Sequence, residues 1–269
     1  MKNIFLAIVF VSISFFTYAQ TNIEYINRGV NKYTLEDYRG AILDFNKAIE
    51  IDPEDKEAYY NRGVCKYALE DNRGAIQDFN KAIELDPEYK EAYYYRGVCK
   101  YILEDNRGAL QDYNKAIELD PEYKEVYYDR GVCKHNLEDY RGAILDFNKA
   151  IEIDPEDKEA YYNRGLSKSD LGDNRGAILD FNKAIKLDTA FKKAYYNRGK
   201  SKSELGDYRG AILDFNKAIE LDSEYKDAYI VRGISKYMLG DIDGACLDFS
   251  KAGELGDRKA YDFIKEYCN

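Results

Sequence analysis

The side chains of this protein that could do chemistry are few, and nearly all of them recur. There are five cysteines and a single histidine among 269 residues, against 50 Asp and Glu. Cys65, Cys99 and Cys133 hold one place in three successive copies of a repeated unit. A disulfide needs Cα atoms within about 7 Å, whereas equivalent places on stacked units lie roughly 10 Å apart, one helix-packing distance. The three therefore read as small buried apolar residues, in the place that Ser167, Ser201 and Ser235 fill later. Zinc would need closer and mixed ligands, and His135 only replaces the Tyr67 and Tyr101 of earlier copies. No nucleophile elbow, glycine-rich phosphate loop, zinc spacing or Ser-His-Asp set is present. The carboxylates all belong to the repeat. No catalytic residue, metal ligand or cofactor is expected, and the chain reads as a non-enzyme.

What positions these residues is a unit of thirty-four, best seen in Lys56–Tyr89. It runs seven times without insertion, from Asn22–Asp55 to a looser copy over Lys226 to about Lys259. A strict period of this length indicates stacked units rather than one globular core. Within a unit Tyr59, Gly63 and Leu69, then Ala75, Phe79, Ala82 and Ile83, step by three and four, the helical period. Asp71 is placed to cap the second helix. Asp86-Pro87 ends it, because the residue before proline is pushed out of helical geometry. Each copy is predicted to be helix, tight turn, helix and short link. Gly63 and its equivalents are expected to face Ala75 and its equivalents, small against small, with Phe79 beside them. The turn carries Glu-Asp in copies one to four (Glu36, Glu70, Glu104, Glu138) and Gly-Asp in copies five to seven (Gly172, Gly206, Gly240). Glycine is the better stop, since it enters the left-handed region cheaply.

Small residues at the eighth, twentieth and twenty-seventh places, aromatics at the fourth and twenty-fourth, and Pro53, Pro87, Pro121 and Pro155 at the thirty-second resemble the tetratricopeptide repeat. The resemblance covers Asn22 to the C-terminus. It implies an all-α, right-handed superhelical solenoid of seven helix-turn-helix repeats (22–256) closed by a capping helix (257–269). It also implies an interaction scaffold whose first helices line a concave groove. Two places depart from the family: the seventh is Arg and the eleventh Lys in every copy, where Leu and Tyr are usual. Arg62 recurs in step with Asp78, which points either to a ladder of charge-assisted bonds between helices or to two solvated faces.

On the implied groove stand Tyr60, Tyr94, Tyr128, Tyr162 and Tyr196, with Asn27, Asn61, Asn163 and Asn197 beside them. An asparagine ladder can pair with the backbone of an extended peptide whatever its side chains. The alternative is that the tyrosines pack between repeats and the asparagines are merely usual there. Some family members grip a terminal carboxylate with Lys and Arg, but here Glu57, Glu91, Glu125 and Glu159 occupy the wall, and only Lys193 and Lys200 are basic. A basic or neutral extended protein segment is the expected partner. The formal charge of −10 disfavours nucleic acid and anionic membrane.

Residues 1–19 follow other rules: Lys2, an apolar run from Ile4 to Phe16, then Thr17-Tyr18-Ala19. That is the anatomy of a signal peptide, too short to span a bilayer as a helix. A retained anchor is the alternative. An exported chain of bacterial type, periplasmic or secreted and not membrane-spanning once processed, is expected. In such a compartment Cys246 and Cys268 can staple the capping helix. Two roles follow: a scaffold binding an extended peptide in its groove, or a structural, self-associating component of a cell-envelope assembly.

Overall fold

The structure, a computed structural model, describes residues 21–268. Helices come in pairs throughout. The first helix, α1, covers 21–34, and α2 (Tyr38–Ile51) completes the first pair. There follow α3 (Lys56–Ala68) with α4 (Asn72–Leu85), α5 (Lys90–Ile102) with α6 (Asn106–Leu119), and α7 (Lys124–Asn136) with α8 (Tyr140–Ile153). Then come α9 (Lys158–Asp170) with α10 (Asn174–Leu187), α11 (Lys192–Glu204) with α12 (Tyr208–Leu221), α13 (Lys226–Met238) with α14 (Ile242–Glu254), and a last helix α15 (Ala260–Tyr267). Helices form compact units through Cys133 and from Lys134 onward, the division falling inside α7. An array in which each pair touches only its neighbours has no shared core to hold it as one globule. Among the described residues no helix is long and apolar enough to cross a membrane.

The helix ends form as their residues dictate. Asp71 accepts from the Gly74 amide at 2.9 Å to open α4, and Asp37, Asp105, Asp139, Asp173, Asp207 and Asp241 do the same in their pairs. Asp86 leaves α4 in extended geometry ahead of Pro87. The link offers two solutions for the next helix. Asp55 and Asp157 cap α3 and α9 with their carboxylates. Tyr89, Phe191 and Tyr225 stand in the same place, make no side-chain cap, and instead pack at a tilt against a tyrosine of the pair before.

The close approach at the repeated glycine differs from the small-against-small expectation. A Cβ on Gly63 would lie 2.7 Å from the Phe79 ring, and one on Gly165 the same distance from Phe181. The hydrogen side of the glycine receives the edge of the aromatic ring on its own second helix. Alanines such as Ala75 and Ala143 are fully buried, and at Gly233 the Ala245 carbonyl oxygen also comes within 3.2 Å of a Cβ, but the ring is the nearer neighbour. The ring needs that room because it is buried whole: Phe45, Phe79, Phe147, Phe181, Phe215 and Phe249 are all at 0% exposure, worth about 2–3 kcal/mol each.

Beside the ring runs a charged ladder. Arg62 donates from Nε and Nη2 to the two carboxylate oxygens of Asp78, at 2.9 and 2.6 Å. Lys66 reaches the same carboxylate at 2.7 Å. Arg62 Nη1 then crosses to Asn46 of the preceding pair at 2.7 Å, and the guanidinium lies 5.4 Å over the Tyr59 ring. From Lys134 onward the pattern holds for Arg164 with Asp180 and Asn148, Arg198 with Asp214 and Asn182, and Arg232 with Asp248 and Asn216. The ladder, not the solvated face, is what the two departures from the family pattern build. In the first pair the Arg28 hydrogen bond, joined by Lys32, holds the Asp44 carboxyl below the usual range despite its burial.

The last helix packs on α14 and is tied to it by a disulfide between Cys246 and Cys268, with Cα atoms 5.8 Å apart. Phe263 stacks on Phe249 at 5.2 Å.

The four glutamate turns carry strain that the glycine turns lack. Glu36, Glu70, Glu104 and Glu138 sit at φ of 60–64°, while Gly172, Gly206 and Gly240 adopt 79–83°. A left-handed non-glycine residue costs roughly 1 kcal/mol. Glu70→Gly should therefore raise stability in urea by about 1 kcal/mol, and Gly206→Glu should lower it by a similar amount. Unchanged midpoints in both variants would show that these turns store no strain.

Candidate functional site

Within each unit, successive first helices pack on one another: α3 on α5, and α9 on α11 and α11 on α13. Among the described residues no two successive second helices pack as closely, so the first helices form the tighter wall, where the sequence places the groove. The predicted site residues on it divide into those that pack and those that face out.

The tyrosines pack. Tyr60 is partly buried, with ring centroids 4.9 Å from Tyr89, 5.9 Å from Tyr95 and 6.0 Å from Phe79. Tyr94 lies 5.3 Å from Tyr123, Tyr162 4.9 Å from Phe191 and Tyr196 5.0 Å from Tyr225. Tyr128 is likewise partly buried. Burial drives the Tyr60 and Tyr94 hydroxyls well above the ordinary range, and that of Tyr162 to about 12. Tyr60, Tyr94, Tyr162 and Tyr196 thus pack against the aromatic residue that opens the next helix pair and stay partly exposed.

The asparagines are anchored to their own helix. Asn61 donates its amide to the Glu57 carbonyl at 2.8 Å, Asn163 to that of Glu159 at 3.0 Å, and Asn197 to that of Lys193 at 3.0 Å. Asn197 also donates to the Tyr162 hydroxyl at 2.9 Å. Asn27 is exposed on α1, while Asn61, Asn163 and Asn197 are partly buried. Held in one rotamer, each amide is presented at a set position along the wall.

Two residues that break the asparagine ladder were not expected in the site. Tyr95 and Asp129 stand where Asn61 and Asn163 stand in their copies. Tyr95 adds a third ring to the cluster of Tyr60 and Tyr94. Asp129 accepts from the Tyr94 hydroxyl at 2.9 Å. Burial raises its carboxyl to about 6, against that hydrogen bond, with Glu125 adding to the rise. The signal was available: an acid and a ring in a place otherwise given to an amide.

His135 shows a grouping that spacing along the chain does not announce. Its Nδ1 lies 3.0 Å from the Ser167 hydroxyl, and its Nε2 lies 3.6 Å from Asp170. Ser, His and Asp thus do meet, contrary to the expectation of no such set. The serine is at 0% exposure and donates to the Asn163 carbonyl at 3.0 Å, so a substrate has no path to it. Ser203 and Ser235 make the matching contact at 3.1 Å between the next two first helices. His135 bridges repeats there. Cys65, Cys99 and Cys133 take part in no disulfide and are fully buried. Burial pushes the Cys65 and Cys99 thiols up to about 12, which makes them inert.

Family models described as the tetratricopeptide repeat match residues 57–89, 91–123, 125–157, 158–191 and 193–225, and a TPR repeat model matches 32–70, together more than half of the chain. The chain belongs to the tetratricopeptide repeat family. Its fold is one that serves generally as a non-enzymatic scaffold for protein–protein interaction. No curated protein matches the chain. Among solved structures it is similar to a tetratricopeptide repeat protein from Parabacteroides merdae (TM-score 0.66, 22% identity, covering 93% of this chain and 100% of that one). The C-terminal part of a TPR protein from Cytophaga hutchinsonii aligns with TM-score 0.74 at 20% identity, over 88% of this chain and 98% of that one. Both show the fold alone. YrrB, described as a TPR protein with an unusual peptide-binding site, aligns with TM-score 0.63 at 26% identity, over 68% of this chain and 95% of its own.

Asp129 supplies a pH test of the wall. A carboxyl raised above its unfolded value near 4 stabilises the fold while protonated, and that contribution is lost as pH climbs through about 6. Asp129→Asn should raise stability by about 2 kcal/mol at pH 7, with the gain vanishing below about pH 4. Equal stability of the two proteins at both pH values would mean that the carboxyl is not buried as described.

Proposed function

We propose that this tetratricopeptide repeat protein binds an extended protein segment of basic or neutral character along the wall of first helices. The observation that carries the reading is the set of helix-anchored amides, Asn61 in the first unit and Asn163 and Asn197 on successive repeats of the second, each bonded to the carbonyl four residues before it. A peptide backbone offers donors and acceptors in regular sequence, and pre-ordered amides meet them at little entropic cost. Within each unit the partly exposed tyrosines on the same helices, Tyr60, Tyr94 and Tyr128 in the first and Tyr162 and Tyr196 in the second, supply apolar surface. Around Asp129, Glu125 adds negative charge, which favours a lysine or arginine side chain. The likeness to YrrB, itself described by its peptide-binding site, supports the same reading.

The scaffold works outside the reducing cytoplasm. The apolar leader is one support for this, although residues 1–19 lie outside the described part of the chain. The other is the Cys246–Cys268 bridge, since such bonds persist in oxidising compartments.

A library of short random peptides panned against the processed chain should yield binders enriched in Lys or Arg. Asn61→Ala, Asn163→Ala and Asn197→Ala together should weaken them at least tenfold, about 1.4 kcal/mol, while the helical signal persists. Retention of full affinity by the triple variant, or failure to select any peptide, would refute the groove.

A further inference from the structure

The second helices from Lys134 onward carry exposed leucines at one repeated place. Leu145 on α8, Leu179 on α10 and Leu213 on α12 are 68%, 69% and 69% exposed. The fold does not ask for leucine there. Helices α4 and α6 have the same length and the same aspartate cap, and they hold Gln77 and Gln111 in that place.

One turn before each leucine stands an exposed arginine: Arg141, Arg175 and Arg209. Residues four apart share a helix face. Among the described residues none of these arginines has an ion pair or side-chain hydrogen bond. On α8 and α12 the lysine further along is matched, Lys149 with Glu152 at 2.9 Å and Lys217 with Glu220 at 2.6 Å, while on α10 Lys183 lies over the Tyr161 ring and Lys186 stands in the glutamate's place. The uncompensated charge on this face is therefore positive, on a chain of net charge −10. On α14 the arginine's place is taken by Asp243, so the cationic row ends after three repeats while Leu247 continues the apolar one.

We infer that this outer face is a second docking surface, distinct from the groove, for a partner helix with one acidic and one apolar edge. The rows of arginine and leucine are one helical turn apart, about 5 Å, and a helix about 10 Å across covers both. A broad anionic surface such as a lipid headgroup layer fits less well. It would also meet Glu152 and Glu220, which are 71% and 67% exposed on the same helices. A narrow segment passes over the arginines without reaching them.

The probe is a labelled amphipathic helical peptide bearing Glu along one edge and Leu along the other, titrated against the processed chain by fluorescence anisotropy. Its counterpart with Lys for Glu, and vesicles of phosphatidylglycerol and phosphatidylcholine, are the comparisons. The acidic peptide should bind, more weakly as salt rises, and the Lys counterpart at least tenfold less. Arg141→Gln, Arg175→Gln and Arg209→Gln together should cost at least tenfold in affinity and flatten the salt dependence. Leu145→Gln, Leu179→Gln and Leu213→Gln should cost as much with an unchanged thermal melt, because Gln is already tolerated at that place. The alanine variant of Asn61, Asn163 and Asn197 should bind the peptide normally, which separates this face from the groove. The inference is overturned by no binding of the acidic peptide, by equal binding of its Lys counterpart, by full affinity in either triple variant, or by vesicle capture that the peptide cannot displace.

Discussion

A buried carboxylate must be satisfied in every helix pair, and the rest of the structure is arranged around that demand. Asp78 and its equivalents are only 3–4% exposed, and an unpaired charge there would cost several kcal/mol. The answer is an arginine in bidentate contact, with a lysine one turn further along the first helix. Because the same guanidinium also reaches an asparagine on the preceding pair, one residue both closes its own hairpin and ties it to its neighbour. The aromatic ring next to the aspartate then seats its edge against the glycine next to the arginine. Polar and apolar locks are thus adjacent along the chain, and neither helix can rotate without breaking both.

That constraint leaves the outward places free to vary, and variation is where function resides. The asparagine place changes to Tyr95 and Asp129 in the middle of the array. The linker place holds an aspartate cap in some copies and a packed aromatic ring in others. On the second helices the exposed place changes from Gln to Leu with no change in helix length or capping. None of these substitutions touches the ladder. A scaffold built this way can acquire different surfaces on its two walls while its interior stays the same.

Much of this was legible before any coordinates. The caps at Asp71 and its equivalents, and the stop at Asp86-Pro87, follow from single-residue chemistry and stand as expected. So does the pairing of Arg62 with Asp78, because two unusual residues repeated in step imply a contact. Cys246 and Cys268 stood out because neither has an equivalent in other copies. The ring, expected only beside the small pair, is the nearest neighbour of the glycine: a sequence shows which places are small, not which large side chain fills the space. Tyr60 and Tyr94 follow the other course the sequence left open, packing between pairs that takes much of their surface. The contact of His135 with Ser167 joins residues 32 apart on different first helices, and no local pattern reveals it.

The most direct measurement is a double-mutant cycle in urea on Arg164→Met and Asp180→Leu. If the ladder holds each hairpin closed, either single change is strongly destabilising and the pair together costs less than their sum, with a coupling of about 2 kcal/mol. Simple additivity, with coupling below about 0.5 kcal/mol, would show that the arginines and aspartates are passengers on a fold held by its rings alone.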